Sequence, residues 1–253
     1  MRNLKKILAL VLALVMSLSL MATAGATDFK DDENVGETYR TAVEVLSGLK
    51  VFGGDQNGQF NPDTPIRRSE VAAIIYRIAT GDVGSDGHKT YSTYNQFPDV
   101  IDGDWFAGYV TYCANAGYIK GRNDGKFYPN DQVTGYEVLA MILRAVGYDK
   151  NNEFVGSNWQ INTASIAQQK GVLKNISGTV QLSQPATREV VAELLFRSIL
   201  LNRVNWNANS LSYSDDASKV CDVIGLEDIS VSSWRTSGPT WSPTLSWRRA
   251  RPA

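Results

Sequence analysis

The stretch FPDVIDGDWFAGYVTYCANAGYIKGRNDGKFYPNDQVTGYEVLAMILRAVGY (97–148) contains a pattern that occurs elsewhere in the same chain. Its second half, IKGRNDGKFYPNDQVTGYEVLAMILRAV (119–146), aligns with FGGDQNGQFNPDTPIRRSEVAAIIYRIA (52–79) at a constant offset of 67 residues. Identical residues at this offset include Gly54 and Gly121, Phe60 and Phe127, Pro62 and Pro129, and Glu70 and Glu137. Repetition over tens of residues is typical of proteins built from units that bury their apolar faces against one another.

Each copy ends in an apolar stripe with the i, i+3, i+4, i+7 spacing of an amphipathic helix. The stripe returns in PATREVVAELLFRSIL (185–200), but the loop before it, NISGTVQLSQ (175–184), lacks the Gly-x-Phe-x-Pro core. We therefore predict an all-α chain of three helix–loop–helix repeats, the third with a degenerate loop, at 35–80, 97–149 and 157–204. The first helices are expected near 38–50, 104–116 and 160–170, and the second near 68–80, 135–147 and 188–203. The polar linkers 81–96 and 147–158 are predicted to be surface connections.

The two ends differ from this repeated region. Basic residues precede the apolar run ILALVLALVM (7–16), and small residues follow it, which predicts a signal peptide at 1–26 that is cleaved after Ala26. After cleavage no stretch is long and apolar enough to span a membrane. The segment 205–253 ends in RTSGPTWSPTLSWRRARPA, which has no periodicity, and we interpret it as a truncated or disordered C-terminal segment.

Composition excludes several classes of function. Residues 27–234 hold 18 basic and 26 acidic residues, a net charge of −8, which argues against nucleic acid as a partner. His88 is the only histidine, so the sequence offers neither a zinc cluster nor a Ser-His-Asp triad. We therefore expect no catalytic site, no metal and no cofactor. Cys113 is expected to be a small core residue, and a Cys113–Cys221 disulfide is left open.

The phrase from Phe97 to Pro129 closely resembles the S-layer homology repeat, and the resemblance extends over about 35–204. It implies a pseudo-threefold helical bundle that holds a surface protein non-covalently to a secondary cell-wall polysaccharide, often through a pyruvylated, negatively charged sugar. The chain would then be secreted to the cell wall or S-layer of a bacterium, where other surface-layer subunits would be a second class of partner. Two alternatives remain: a structural subunit that assembles the surface lattice itself, and the anchor fragment of a wall-associated hydrolase.

The family's Thr-Arg-Ala-Glu signature opens the second helix of each repeat, and its arginine contacts the ligand. By position this arginine is Arg68 in the first repeat and Arg188 in the third, whereas the second has Gly135, which implies a weak or silent groove there. Arginine in the first helical turn is unfavourable by up to ~1 kcal/mol. An anion held jointly by the guanidinium and free helix N–H groups would explain both arginines. A salt bridge to a neighbouring repeat is the alternative.

Four further residues complete the predicted ligand-binding set: Trp105, Trp159, Gly54 and Gly121. The two tryptophans begin the first helices of the second and third repeats, where each either stacks on a sugar ring or packs between units. The two glycines serve turn geometry first, and the loop backbone around them would line a groove. Thr134 and Glu137 have the spacing of a capping box, which favours a structural role for Glu137 and for its counterpart Glu70.

Overall fold

The computed structural model describes residues 29–84, 86–176, 178 and 180–224. The predicted signal peptide and residues 225–253 lie outside this part of the chain. The described part is largely helical, in agreement with the predicted class. Its α-helices are α1 (Arg40–Gly48), α2 (Arg68–Thr80), α3 (Ala107–Asn115), α4 (Gly135–Val146), α5 (Trp159–Gln169) and α6 (Arg188–Ile199). Each lies within a few residues of its predicted position because the apolar periodicity that defined it faces the core.

The helices pack in a closed order. The second helix of each predicted repeat contacts the first helix of the next, so that α2 packs on α3, α4 on α5, and α6 back on α1. The short extended pieces before α2, α4 and α6 also meet one another through three isolated bridges: Pro65 with Thr187, Arg67 with Gln132, and Thr134 with Pro185. The end of the described chain is thereby tied to its beginning around one apolar core.

A carboxylate holds each of the first two loops in place. Asp31 accepts hydrogen bonds from the backbone N–H groups of Phe60 and Asn61, each at 2.7 Å. Asp99 accepts from the equivalent groups of Phe127 and Tyr128, at 2.9 and 2.7 Å. Asp31 lies ahead of residue 35, where the first repeat was predicted to begin. The triplet FKD (29–31), which parallels FPD (97–99), was the signal that could have identified it.

Residues after α6 form a small sheet, which corrects the all-α prediction in detail. Strands β1 (Asn202–Asn207) and β2 (Ser212–Lys219) pair antiparallel, and a 3₁₀ helix follows at Val220–Ile224. The hairpin contacts α4, the 3₁₀ helix contacts α2, and Val204 and Val220 are buried. Residues 205–224 are therefore folded against the helices, while the interpretation of 205–253 as a truncated segment stays a prediction. The sequence misled because β2, SYSDDASK, has no buried residue and no apolar alternation.

The linkers are not simple surface connections either. A 3₁₀ helix at Gly87–Tyr94 packs against α3, and His88 is buried with its ring stacked on Tyr109 at 3.8 Å between centroids. In the second linker, Asp149 and Phe154 are buried. The sequence did not reveal these buried positions, because most residues around them are polar. A few buried side chains are enough to fix a connection whose average composition is hydrophilic.

Candidate functional site

Arg188, in the first turn of α6, is directed into the first loop of the chain. Its Nε donates to the carbonyl oxygen of Phe60 and one terminal nitrogen donates to that of Gly53, both at 2.7 Å. The other terminal nitrogen pairs with a carboxylate oxygen of Glu70 at 3.4 Å. These contacts join the third predicted repeat to the first, and three guanidinium N–H groups take part in them.

Arg68 repeats this geometry one unit further on. Its Nε donates to the carbonyl oxygen of Phe127 at 2.8 Å, a terminal nitrogen donates to that of Lys120 at 3.1 Å, and Glu137 is the carboxylate partner at 3.2 Å. Each of these partners lies 67 residues after its counterpart around Arg188. The Arg68 side chain is only 4% exposed. Both arginines therefore form the salt bridges to a neighbouring unit that were the alternative reading of the sequence.

The predicted pocket of free helix N–H groups is wrong. The first amides of α2, on Arg68 and Ser69, donate to the carbonyls of Asp131 and Pro129, and those of α6, on Arg188 and Glu189, donate to the carbonyls of Thr64 and Pro62. The first two amides of each helix are thus satisfied by the loop of the next unit. Sequence spacing could not reveal this, because the acceptors lie in a different repeat.

Glu70 and Glu137 have two roles at once. One oxygen of Glu137 accepts from the Thr134 backbone N–H at 2.8 Å, as predicted for a capping box, while the other meets Arg68. Glu70 likewise accepts from the Arg67 backbone N–H at 2.9 Å and meets Arg188. Burial lowers the pKa of both arginines and the paired glutamates oppose the change, so the guanidinium groups stay charged.

An open cavity of about 350 Å³ lies beside Arg188, which we call the primary cavity. Residues from all three predicted repeats line it: Phe52, Gly53, Gly54, Asp55, Asn61, Thr64, Glu70, Ala73, Ile74, Arg77, Trp105 and Arg188. Three predicted ligand-binding residues, Gly54, Trp105 and Arg188, are therefore brought together here. The volume lies in the range of small-molecule binding clefts, about 300–1,000 Å³.

The two predicted tryptophans have different surroundings. Trp105 is 55% exposed at the mouth of the primary cavity, with its ring edge-on to Phe106 at 5.5 Å between centroids. Trp159 is half-buried and packs edge-on to Tyr136 at 6.2 Å. Trp105 therefore has an exposed ring beside the cavity, whereas Trp159 packs against a residue of the neighbouring unit.

At both predicted glycines, Gly54 and Gly121, a side chain would collide with a neighbouring ring. A Cβ on Gly54 would lie 2.8 Å from the Phe29 ring, and one on Gly121 would lie 2.6 Å from the Phe97 ring. The position is glycine in both loops because an aromatic ring covers it. Gly54 also lines the primary cavity.

Arg77 is a cavity residue that the sequence analysis missed. It lies in the last turn of α2, lines the primary cavity, and donates to the carbonyl oxygen of Val51 at 3.0 Å. Among the described residues its guanidinium has no carboxylate partner, and its buried Nε has no hydrogen-bond acceptor. Its counterpart Arg144 is instead neutralised by Asp149, with Nε and Oδ2 2.6 Å apart. Neither arginine lies on the apolar stripe of its helix, so helix periodicity offered no signal for either of them.

Larger side chains occupy the equivalent region beside Arg68. Where the primary cavity has Asp55, Asn61 and Thr64, the second unit has Arg122, Tyr128 and Asp131. Arg122 pairs with Asp131 at 2.7 Å, and its guanidinium carbon lies 4.5 Å from the centroid of the Tyr128 ring. The chain's own side chains thus cover the approach to Arg68.

The third position, headed by Gly135, is closed by packing. A Cβ on Gly135 would lie 2.9 Å from both Cα and Cδ2 of Leu182. The residue that aligns with Glu70 and Glu137 is Val190, so the arginine and its carboxylate partner are absent together. Among the residues of this interface that the structure describes, no groove of the Arg188 type is formed.

Metal sites and membrane spans are both absent from the described ranges. None of these residues form a cluster of three or more His, Cys, Asp or Glu side chains that could hold a metal ion. In the same part of the chain, every helix is too short or too polar to cross a bilayer. Cys113 and Cys221 are both buried and are not bonded to each other.

Comparison with known proteins supports the resemblance that the repeats carry. Residues 28–72 and 96–139 match the sequence model of the S-layer homology domain. The chain is 32% identical over 162 residues to a surface layer protein of Brevibacillus choshinensis, a match that covers 64% of this chain and 14% of that protein. It is 31% identical over 105 residues to a cellulosome-anchoring protein of Acetivibrio thermocellus, which covers 42% of this chain and 23% of the relative.

An enzyme also contains a similar region. An amylopullulanase of Thermoanaerobacterium thermosulfurigenes is 28% identical over 173 residues, covering 62% of this chain and 9% of the enzyme. The chain spans less than a quarter of the length of each of these relatives. Their similarity to this chain points to a cell-surface or cell-wall location. Within the chain, the similarity to the S-layer homology domain lies in residues 28–72 and 96–139.

Proposed function

We propose that this chain anchors an exported protein to the bacterial cell wall by binding an anionic secondary cell-wall polysaccharide in the primary cavity. The observation that carries the proposal is Arg77, a cation without a carboxylate partner among the described residues, in a cavity that Arg188 and an exposed tryptophan also line. A negatively charged sugar, such as a pyruvylated one, would supply the missing carboxylate.

The two arginines have hydrogen-bonding capacity left for such a group. A guanidinium carries five N–H donors, and Arg188 uses three of them in its described contacts while Arg77 uses one. Charge-assisted hydrogen bonds to a carboxylate are stronger than neutral ones, and a guanidinium can form two in parallel. The acidic ligand is thus held by Arg77 and Arg188, although the chain as a whole is acidic.

The remaining lining suits a sugar. Asp55, Asn61 and Thr64 offer carboxylate, amide and hydroxyl groups for ring hydroxyls, and the Asn61 amide is already oriented by Asp55 at 3.2 Å. The exposed face of Trp105 can cover the apolar side of a pyranose ring. A few directed polar groups beside an aromatic wall are typical of small-ligand sites.

The three-repeat, pseudo-threefold arrangement belongs to the same proposal. The three extended bridges and the closed helix order support it, since each unit contacts the next in the same way. Three equivalent grooves would follow, but the chain's side chains make them unequal. We infer that the Arg188 groove is the main site, that the Arg68 groove is secondary, and that the Gly135 groove is silent.

A second function competes with this one. A surface-layer subunit that assembles without glycan is favoured by the 32% identity to a surface layer protein. The similarity to an amylopullulanase is compatible with the anchor fragment of a hydrolase. Both readings keep the chain at the cell surface, and only binding experiments separate them.

The test is co-sedimentation of the mature chain (27–253) with sacculi of Brevibacillus choshinensis, before and after hydrofluoric acid removes the secondary polysaccharide. Arg77→Gln should weaken binding by about ten- to a hundredfold, since a charge-assisted hydrogen bond contributes ~1.5–3 kcal/mol. Arg67→Gln is the matched control, because Arg67 is exposed, lies outside the cavity and changes the net charge equally. Binding that survives removal of the polymer, or equal loss in both variants, would overturn the proposal.

A further inference from the structure

A second cavity adjoins the primary one. It has a volume of about 400 Å³ and is lined by Arg77, Val83, Gly84, His88, Lys89, Trp105 and Tyr109. Arg77 and Trp105 line both cavities, so these two side chains stand between them. We call this space the linker cavity, because the linker 81–96 supplies four of its residues.

The linker cavity has a wall fixed by packing. His88 is 7% exposed, and its ring lies nearly parallel to that of Tyr109, at 15° and 3.8 Å between centroids. The helix beneath must approach closely, because a Cβ on Gly108 would lie 1.9 Å from the His88 carbonyl oxygen. The 3₁₀ helix is therefore held rigidly against α3, and the cavity is a formed feature of the fold.

Its chemistry is cationic and incompletely satisfied. Two of the seven lining residues, Arg77 and Lys89, are cations, and none is a carboxylate. Lys89 pairs with Asp86 at 2.5 Å, but both side chains are more than two-thirds exposed, and such surface pairs are weak. Among the described residues, His88 Nδ1 and Arg77 Nε are buried without hydrogen-bond partners. Buried polar atoms are normally paired, so two unpaired ones at one cavity leave hydrogen-bonding capacity that a ligand group can use.

We propose that the linker cavity is a second subsite, which binds the next acidic sugar residue of the same polysaccharide chain. The inference rests on the proposed function. One sugar would occupy the primary cavity and its neighbour the linker cavity, with Trp105 between them and Arg77 in reach of both. The site then recognises at least two consecutive residues of the polymer, and a single charged sugar does not satisfy it.

The repeat pattern explains why this subsite is local to one groove. The linker 81–96 separates the first two predicted repeats, and its counterpart 147–158 has a different sequence in which Asp149 neutralises Arg144. The linker cavity therefore adds selectivity to the Arg188 groove without a matching change at the other two. It is also the feature that gives the buried histidine of this chain a role.

The test compares a single charged residue with a longer chain. Polysaccharide released from sacculi of Brevibacillus choshinensis by hydrofluoric acid is partly hydrolysed, and single acidic sugars and oligosaccharides are separated by size. Binding of each to the mature chain (27–253) is measured by calorimetry. The oligosaccharides should bind at least about tenfold more tightly than the single sugar, as expected when a second contact becomes intramolecular.

Gly84→Phe should remove this difference. Gly84 is exposed at the linker cavity and has no positive φ. An added Cβ would lie 3.1 Å from Asp82 Oδ1, so the Asp82 side chain must shift by a few tenths of an ångström to admit the ring. Affinity for the single sugar should stay within about twofold, while oligosaccharide affinity falls about tenfold to the same level. Gly178→Phe, at an exposed glycine with open space around its Cβ, is the matched control. Thermal unfolding of both variants verifies that they fold.

The outcomes separate the two proposals. If the unaltered chain binds neither probe, the proposed function fails and the inference with it. If it binds the single sugar and the oligosaccharides equally, anchoring survives and the linker cavity is not a subsite. Equal losses for both probes in Gly84→Phe would also overturn the inference, because the effect would then lie in the primary cavity.

Discussion

At the scale of single residues, three equivalent positions show the energetic cost of a non-glycine residue at positive φ. Lys50, Gly117 and Gly171 occupy equivalent places after the first helices and all have positive φ, at 60°, 77° and 81°. Glycine adopts this region freely, whereas other residues lose about 1–2 kcal/mol there. Lys50 therefore carries strain that its two counterparts avoid.

Lys50→Gly should raise the free energy of unfolding by about 0.5–1 kcal/mol, because relief of the left-handed conformation outweighs the entropy gained by the unfolded chain. Urea denaturation monitored by circular dichroism measures the change. Lys126→Gly is the matched control, at an exposed loop lysine without positive φ, where the same substitution should lower stability. A loss of stability in Lys50→Gly would contradict the assignment of strain.

Asp149 is a buried carboxylate with three donors. Burial by itself would raise its pKa, but hydrogen bonds from the Phe154 backbone N–H, Arg144 and Lys120 outweigh burial and lower the pKa below its ordinary value. A lowered folded-state pKa contributes stability above the unfolded pKa of about 3.9 and loses it as the pH falls through the folded value.

Asp149→Asn should therefore cost about 2–4 kcal/mol at pH 7, since it leaves Arg144 and Lys120 without their charged partner. The unaltered chain should lose more stability than this variant between about pH 5 and pH 2. Urea denaturation across that range gives both quantities. Asp102→Asn, at an exposed position, should behave like the unaltered chain. Parallel pH profiles for the unaltered chain and Asp149→Asn would refute this role.

At the scale of elements, the first turn of each second helix is completed by another unit. The α4 amides of Gly135 and Tyr136 donate to the carbonyls of Gln184 and Leu182, as α2 and α6 do to their own neighbouring loops. The interfaces differ only in their side chains. An arginine fills two of them, and Leu182 against Gly135 fills the third.

Gly135→Ala should destabilise the chain by about 1–3 kcal/mol, because the added Cβ would meet Leu182 in a packed interface. Helix propensity taken alone predicts the opposite, a gain of up to ~1 kcal/mol over glycine. Thermal or urea unfolding decides the sign. A stabilised Gly135→Ala variant would show that the third interface is loose and that the groove there can open.

At the scale of the whole molecule, the order of contacts is closed. Helix α6 packs on α1, and Ile66 of the first unit donates to the Ala186 carbonyl of the third at 2.9 Å. No single unit buries its apolar face alone, so stability depends on all three interfaces together. The primary cavity depends on the same closure, since Arg188 reaches it from the third unit and Trp105 from the second.

A fragment of residues 27–150 should accordingly lose cooperative folding, because α1 loses α6 and the bridge at Pro65 loses Thr187. The mature chain (27–253) should show one sharp thermal transition by circular dichroism, whereas the fragment should show a broad change or none. A fragment that melts sharply near the temperature of the mature chain would mean that the units fold independently, as in an open array.

The sequence by itself determined the helices, their repetition and the equivalence of Arg68 with Arg188. The helices follow from the apolar periodicity within each repeat, and the equivalence of the two arginines follows from the alignment of one repeat with another. Neither requires knowledge of long-range contacts. It did not determine β2, whose exposed polar residues carry no alternation, or the burial of His88 in a polar linker.

Only the tertiary structure decided what the arginines contact and which groove is open. Arg188 and the Phe60 carbonyl are 128 residues apart in sequence, and they meet because the third unit closes on the first. The same long-range packing covers the first helix N–H groups, leaves Trp105 exposed and packs Trp159 against Tyr136. Among the described residues Arg77 has no carboxylate partner, whereas its counterpart Arg144 is neutralised by Asp149. Local patterns specify elements, whereas long-range contacts between unlike units specify the site.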